Sequence, residues 1–197
     1  MNITDAVLEL PNFVSAEFCH RAIDFINFED KESMYVVGGV FEDIRRVKGF
    51  HTFPFAFDEK DLEKNKKVMS QLMYFHKVRK QLEIPLINYC TKFPYLGKDI
   101  KLKQADFLEY SENGHYDIHT DNHSDWGRQL TVIINLNDGY EGGEFVFYNP
   151  IGSAKNILHK TQLKQGSVLM FPSNYLYPHK VNPIKKGKRY SIVCWLG

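Results

Sequence analysis

The sequence predicts an α+β fold, mainly β: a double-stranded β-helix (jelly roll) core with N-terminal helices packed on one sheet. Strand-like runs crowd the second half, at 101–110, 115–121, 129–137, 143–148, 156–164, 167–171, 176–182 and 188–196. Turn signals separate most of them: Glu112-Asn-Gly, Asn137-Asp-Gly, Glu141-Gly-Gly, Asn149-Pro, Gln165-Gly and Lys186-Gly. Many short strands with that punctuation suggest a sandwich or jelly roll. Helical periodicity is confined to the first half, and helices followed by strands suggest helices laid against a sheet.

Residues 5–11 read as a short strand ending at Pro11. Ser15 is placed to cap a helix, with Glu17 in the favourable first turn. Phe18, Ala22, Phe25 and Ile26 then recur at helical spacing, which predicts a helix from 16 to about 28. Met34-Tyr-Val-Val-Gly-Gly-Val-Phe reads as strand with a glycine kink or turn, and Arg45-Arg46 follows. Asp58 or Asp61 could cap a long helical region running to about 83, with Val68, Leu72, Phe75 and Leu82 as its apolar stripe. Lys60, Lys64, Lys67, Lys77 and Lys80 lie mostly off that stripe and read as a solvated face. Pro85 is expected to interrupt or restart the helix, because it lacks an N–H and its ring meets the preceding turn. Residues 86–93 continue the pattern, and Pro94-Tyr-Leu-Gly-Lys ends it. With no linker rich in Pro, Gly or Ser, residues 1–197 are expected to form one domain: a helical portion over about 1–99 and a jelly-roll core over about 100–197.

Hydrophobic residues make up 43% and charged residues 25%, ordinary values for a soluble globular chain. The formal net charge of +1 gives no electrostatic case for a nucleic-acid partner or an acidic membrane. Cys19, Cys90 and Cys194 are odd in number and far apart, which suits reduced thiols in the cytoplasm. The N-terminus has no basic stretch followed by an apolar run, and no segment approaches a membrane span.

The chemistry gathers at His119-Thr120-Asp121. In an extended strand alternate side chains share a face, so His119 and Asp121 can reach one metal ion. His179 is the best third ligand. Two imidazoles and a carboxylate on one side of a metal leave positions open, as non-haem Fe(II) needs to take a cosubstrate and oxygen. Arg189 follows ten positions later, in Lys185-Lys-Gly-Lys-Arg189-Tyr-Ser191. Alternation puts Arg189, Ser191, Val193 and Trp195 on one face and Tyr190, Ile192, Cys194 and Leu196 on the other. An arginine pointing inward needs an anion, and its guanidinium fork fits a carboxylate. The dicarboxylate 2-oxoglutarate satisfies both ends, one carboxylate on Arg189 and the keto acid on the iron.

Six ordered blocks carry a family resemblance. They are Tyr110-(x)3-Gly114-x-Tyr116-(x)2-His119-x-Asp121; Arg128-x-Leu-Thr-Val-Ile-Ile-Asn-Leu-Asn; Glu141-Gly-Gly-Glu-Phe; Gly166-Ser-Val-Leu-Met-Phe-Pro; Pro178-His179-x-Val-x-Pro; and Gly187-x-Arg189-Tyr-Ser. Over about residues 101–197 the chain resembles the prolyl 4-hydroxylase-like branch of the Fe(II)/2-oxoglutarate-dependent dioxygenases. The resemblance of the N-terminal part, through LPNFVSAEFCHRAIDFI, is only in outline. It implies His119, Asp121 and His179 as iron ligands, Arg189 as the 2-oxoglutarate anchor and Tyr110 as a hydrogen-bonding partner of the cosubstrate. Tyr116, Asn135 and Ser191 are further cosubstrate-pocket residues on this reading; Asn135 falls where some relatives carry a tyrosine. It implies Fe(II), 2-oxoglutarate and O2 as cofactor and cosubstrates, ascorbate as an accessory reductant, and a protein or peptide substrate hydroxylated at an unactivated C–H, foremost at proline. Arg189 stands where collagen-type prolyl hydroxylases use lysine, and secretory features are lacking, which points to the cytosolic or microbial side of the branch.

Gly142-Gly143 read as turn glycines, and His115 and His123 as surface residues flanking the motif. Asp125-Trp126 lies in a loop just after the ligands, where loops touch substrates, and Arg45, Arg46, Trp126 and Tyr177 could select the substrate. The alternatives are a small-molecule hydroxylase of the same superfamily, a zinc hydrolase using the same three ligands, and a non-catalytic jelly-roll binding module. Arg189 discriminates against the last two, which have no need of it.

Overall fold

Strand β5 (Leu102–Tyr110) sets the layering, because eight of its nine side chains are buried and successive ones serve different cores. Ala105 and Phe107 face the helices, whereas Leu108 and Tyr110 face a second sheet. A strand covered on both faces reads as a nearly continuous apolar run rather than an alternating one. The computed structural model describes residues 3–33, 44–54, 62–97, 99–122, 127–151 and 156–197.

The elements before β5 are β1 (Leu8–Leu10), α1 (Ala16–Phe28), β2 (Glu32–Ser33), β3 (Arg45–Arg46), β4 (Lys48–Thr52) and α2 (Leu62–Lys92). After it come β6 (His115–His119), β7 (Leu130–Asn135), β8 (Glu141–Gly142), β9 (Phe145–Tyr148) and β10 (Ile157–Thr161). The last are β11 (Val168–Pro172), β12 (His179–Val181), β13 (Ile184–Lys186) and β14 (Arg189–Leu196). A seven-stranded sheet has the order β1-β11-β7-β14-β5-β4-β2 and a five-stranded sheet the order β10-β9-β12-β6-β3, with β13-β8 as a separate pair. All pairings are antiparallel. This is the jelly roll with helices on one sheet that the turn pattern predicts.

The helices cover the outer face of the larger sheet. Ser15 caps α1 by accepting from Phe18 N at 3.2 Å, as its position in the sequence suggests. Phe25 on α1 stacks on Tyr74 of α2 at 3.8 Å and meets Phe50 and Phe107 edge-on, both at 5.3 Å. Burying each such ring contributes about 1.5–3 kcal/mol. Phe75, Val78, Leu82 and Tyr89 are buried from α2, and Tyr89 donates to Ala6 O at 2.7 Å, tying the helix to the N-terminal turn.

Several expectations are corrected. The helix does not break at Pro85: α2 runs unbroken from Leu62 to Lys92. Buried side chains lie on both sides of the proline, which is itself buried, and their packing offsets the roughly 3 kcal/mol that an interior proline costs. Residues 5–11 are not one strand: a 3-10 turn spans Ile3–Ala6 and only Leu8–Leu10 pair, with β11. The 176–182 run becomes strand only at His179, because Tyr177 N closes a turn onto Asn174 O and Pro178 has no N–H to give. The first 99 residues also supply β2, β3 and β4, where the sequence pattern predicts no strand. The strand expected over Met34–Phe41 and the caps at Asp58 and Asp61 lie outside the described residues.

Candidate active site

His119 closes β6 and His179 opens β12, and the register of the small sheet sets them directly opposite one another. Opposed residues of an antiparallel pair share a face, so both imidazoles point into the space between the sheets. Asp121 follows two residues after His119 and is also buried. Its Oδ1 lies 3.6 Å from His119 Nε2 and its Oδ2 lies 3.6 Å from His179 Nε2. All three ligand atoms fall within 4.8 Å of one another. Each imidazole gives its Nδ1–H to a backbone carbonyl, His119 to Asp117 O at 2.7 Å and His179 to Tyr177 O at 2.9 Å. Those bonds fix the tautomer with an Nε2 lone pair aimed at the centre, the way metal-bound histidines are oriented.

Burial, helped by the neighbouring His119, pushes His179 down to about 4, so the ring is neutral near pH 7. Burial alone would raise the Asp121 carboxyl, but the two histidines and the Thr131 hydroxyl outweigh it and hold it well below the usual carboxylate range. Thr131 Oγ1 donates to Asp121 Oδ2 at 2.7 Å and contacts Ser173 Oγ at 2.8 Å. One carboxylate and two imidazoles thus converge on a point where a divalent cation fits their donor chemistry.

Arg189 lies on the inner face of the larger sheet and is 1% exposed. Its Nε donates to Asn135 Oδ1 at 3.0 Å, and its guanidinium sits 5.3 Å from the centroid of the Tyr110 ring, which β5–β14 pairing places opposite. Its Nη2 is buried without a partner, and no carboxylate pairs with it among the described residues. A buried cation with an unused donor calls for an anion, which suits the distal carboxylate of 2-oxoglutarate. Gly143, at φ 68°, lets the backbone pass close, since a Cβ there would lie 3.3 Å from Arg189 Cδ.

His119, Asp121, His179, Arg189, Tyr110 and Tyr116 line one cavity, with Arg45, Trp195 and the apolar Leu108, Ile133, Phe145, Val181 and Val193. Tyr116 stacks on His119 at 3.4 Å between centroids and carries the Arg45 guanidinium 4.7 Å from its own centroid. Burial lifts the Tyr116 phenol to about 12, against the pull of Arg45, so it stays a protonated donor.

Other expected site residues are placed differently. Asn135 does not line the cavity: its amide donates to Asn137 O and Leu163 O, and its oxygen accepts from Arg189 and from Tyr140. It holds Arg189 rather than reaching inward. Ser191 is fully buried on the Arg189 face and is not a lining residue; its Oγ has no partner. Tyr177 is buried, with its hydroxyl on Ile3 O, and so is no part of a substrate surface. Arg46 opens into a separate cleft with Glu109, Ser111 and Glu112, whereas Arg45 faces the cavity. His123 and Asp125-Trp126 lie outside the described residues. Thr131 was not anticipated, although a hydroxyl inside Leu130-Thr-Val-Ile-Ile is the visible signal.

Residues 105–197 match the 2OG-Fe(II) oxygenase superfamily model. A PKHD-type hydroxylase of Crocosphaera subtropica is 32% identical over 97 residues, which are 46% of this chain and 40% of that protein. Human prolyl 3-hydroxylase 2 is 34% identical over 68 residues, 34% of this chain and 9% of that protein. The chain therefore spans well under half the length of these relatives. Among solved structures, a prolyl hydroxylase from Trichoplax adhaerens, in complex with a hypoxia inducible factor oxygen degradation domain peptide, superposes with a TM-score of 0.66 at 20% identity, covering 98% of this chain and 84% of that one. A Pseudomonas putida prolyl-4-hydroxylase gives 0.64 at 18% identity, with 98% and 96% covered. These two likenesses speak for the fold, and the matched segment contains all three converging ligands and Arg189. The stretch from residue 105 to 197, just under half of the chain, is thus similar to the 2OG-Fe(II) oxygenase superfamily.

Proposed function

We propose that this protein is an Fe(II)- and 2-oxoglutarate-dependent oxygenase that hydroxylates an unactivated C–H bond, most of all in a peptidyl proline. One observation carries the reading: a single cavity holds three converging metal donors and, on its other wall, a buried arginine with a free donor. A zinc hydrolase needs the first and has no use for the second. His119, Asp121 and His179 would hold the metal, and Arg189, set by Asn135 and Tyr110, would take the far carboxylate of 2-oxoglutarate. Iron held there would supply, with 2-oxoglutarate and O2, the oxidising power for C–H hydroxylation. Leu108, Ile133, Phe145 and Val181 keep water out of the cavity, and Tyr116 keeps a phenolic proton available as a donor there. The relative named prolyl 3-hydroxylase 2 and the peptide-bound prolyl hydroxylase neighbour support the proline preference; ascorbate enters the proposal only as an accessory reductant. The three free cysteines support a reducing, cytoplasmic setting, and no described helix is long and apolar enough to cross a membrane.

The test is anaerobic titration of metal-free protein with Fe(II) and then 2-oxoglutarate, followed by visible absorption. A weak charge-transfer band should form with the wild type and be absent from folded His179→Ala. Tight zinc binding with no band and no 2-oxoglutarate consumption would overturn the proposal.

A further inference from the structure

A second polar cluster occupies the inner face of the larger sheet. Gln104, Asp106, Leu108 and Tyr110 share one face of β5 by alternation, and Leu108 and Tyr110 line the cavity. Asp106 is opposite His51 on β4 and opposite Val193, another lining residue, on β14. It therefore faces the same space between the sheets as Leu108 and Val193 and lies directly behind the cavity lining, where it is fully buried. Its Oδ1 takes two neighbours, Gln104 Nε2 at 2.7 Å and His51 Nδ1 at 2.6 Å. Its Oδ2 is buried and has none. Arg128 does not fill the gap. It gives Nη2 to Gln104 Oε1 at 3.3 Å, and its guanidinium lies 3.8 Å from the Trp195 ring centroid. An unpaired buried carboxylate oxygen is costly, so an unfilled acceptor lies next to the cavity while Arg189 brings an unfilled donor to its lining.

We propose that Asp106 determines specificity for the prime substrate by accepting an N–H from a cationic nitrogen, a primary or secondary ammonium, at Oδ2. The inference rests on the oxygenase reading above. A bond between ionised partners is about twice as strong as a neutral one. A site built around a buried acceptor also rejects analogues that lack the donor, because the acceptor is then left unpaired. His51, half-exposed on the same face, steadies the carboxylate from the β4 side. The ammonium can belong to a free amino or imino acid or to a basic side chain of a peptide.

The test uses iron-loaded protein with 2-oxoglutarate under anaerobic conditions and calorimetric titration of three probes. These are L-proline, N-acetyl-L-prolinamide, and N-acetyl-L-prolyl-L-lysinamide. We expect one cationic probe to bind at least about 10-fold more tightly than the neutral one. L-Proline in that role identifies a free acid, and the lysyl peptide identifies a peptide source. Asp106→Asn should close the gap while keeping the Fe(II)–2-oxoglutarate band, and His51→Leu, which frees the carboxylate of one donor, should widen it. Equal affinities in the wild type, binding of none of the three, a gap that survives Asp106→Asn, or no widening in His51→Leu overturns the proposal. Absence of the band in the wild type would instead sink the oxygenase reading.

Discussion

Asn135 Oδ1 accepts the Nε–H of Arg189 at 3.0 Å, and both side chains are buried. The guanidinium is thereby turned so that Nη2 stays unspent. Asn135→Ala should raise the 2-oxoglutarate concentration needed for half-maximal turnover by about 10- to 100-fold, with a smaller change at saturation, because a hydrogen bond to a charged group contributes roughly 1.5–3 kcal/mol. Arg189→Ala should be more severe, costing several kcal/mol. Turnover measured against 2-oxoglutarate concentration checks both, and an unchanged requirement in Asn135→Ala would mean that Arg189 needs no such support.

Thr131→Val keeps the side-chain shape but removes the 2.7 Å bond to Asp121 Oδ2. Groups that orient metal ligands typically contribute 10- to 100-fold in affinity. We expect Fe(II) or Co(II) binding to weaken by about that factor in a folded protein. Wild-type affinity would show that Asp121 is held well enough by its own backbone.

Glu109 is 5% exposed in its side chain and pairs with Lys188 at 2.9 Å and Lys31 at 3.1 Å. Burial alone would raise its carboxyl, but the two lysines outweigh burial and hold it below the ordinary value of 4.5. The Glu109 bond in turn raises Lys188 above 10.5. The depressed carboxylate contributes stability that is present above 4.5 and lost as pH falls through its folded value; the raised ammonium contributes stability present below 10.5 and lost as pH rises through its own. Thermal melts should show a plateau between those limits. Glu109→Gln should cost about 1–3 kcal/mol on the plateau and flatten the acid limb. An acid limb as steep as the wild type's would assign it to other groups.

Tyr89→Phe removes only the hydroxyl that reaches Ala6 O at 2.7 Å. The expected loss is about 0.5–1.5 kcal/mol, plus a penalty if the carbonyl finds no new donor. Denaturant unfolding measures it, and a neutral result would mean that water reaches that carbonyl.

The sequence announces the site more fully than it announces the scaffold around it. Strand alternation singles out His119 and Asp121, although β6 ends at His119 and Asp121 reaches the same centre from just beyond the strand; the same rule correctly splits Val193 and Trp195, which line the cavity, from Ile192, Cys194 and Leu196, which face the helices. β3 and β4 escaped because Arg45-Arg46 and Lys48-Gly-Phe-His-Thr lack the apolar density of a strand; neighbours across the sheet hold them in place. Pro85 misled for a related reason, since a local penalty was outweighed by burial that only the folded chain supplies. Asn135 shows another limit. Strand alternation places it on the inner face beside Ser191, but not that Asn137, Leu163, Tyr140 and Arg189 use up its amide.

The direct opposition of His119 and His179 has a bearing on how the metal is acquired. The two imidazoles come from strands far apart in the chain, and closing that interval has an entropic cost before any contact rewards it. Until β12 docks between β6 and β9, the chain offers a loaded ion one histidine and one carboxylate, too few to retain it against water and cellular chelators. On the oxygenase reading, capture of iron would therefore report completion of the small sheet. A partly folded chain is a poor host for a redox-active ion, so the proposed oxidising chemistry would be confined to molecules whose cavity is already walled in.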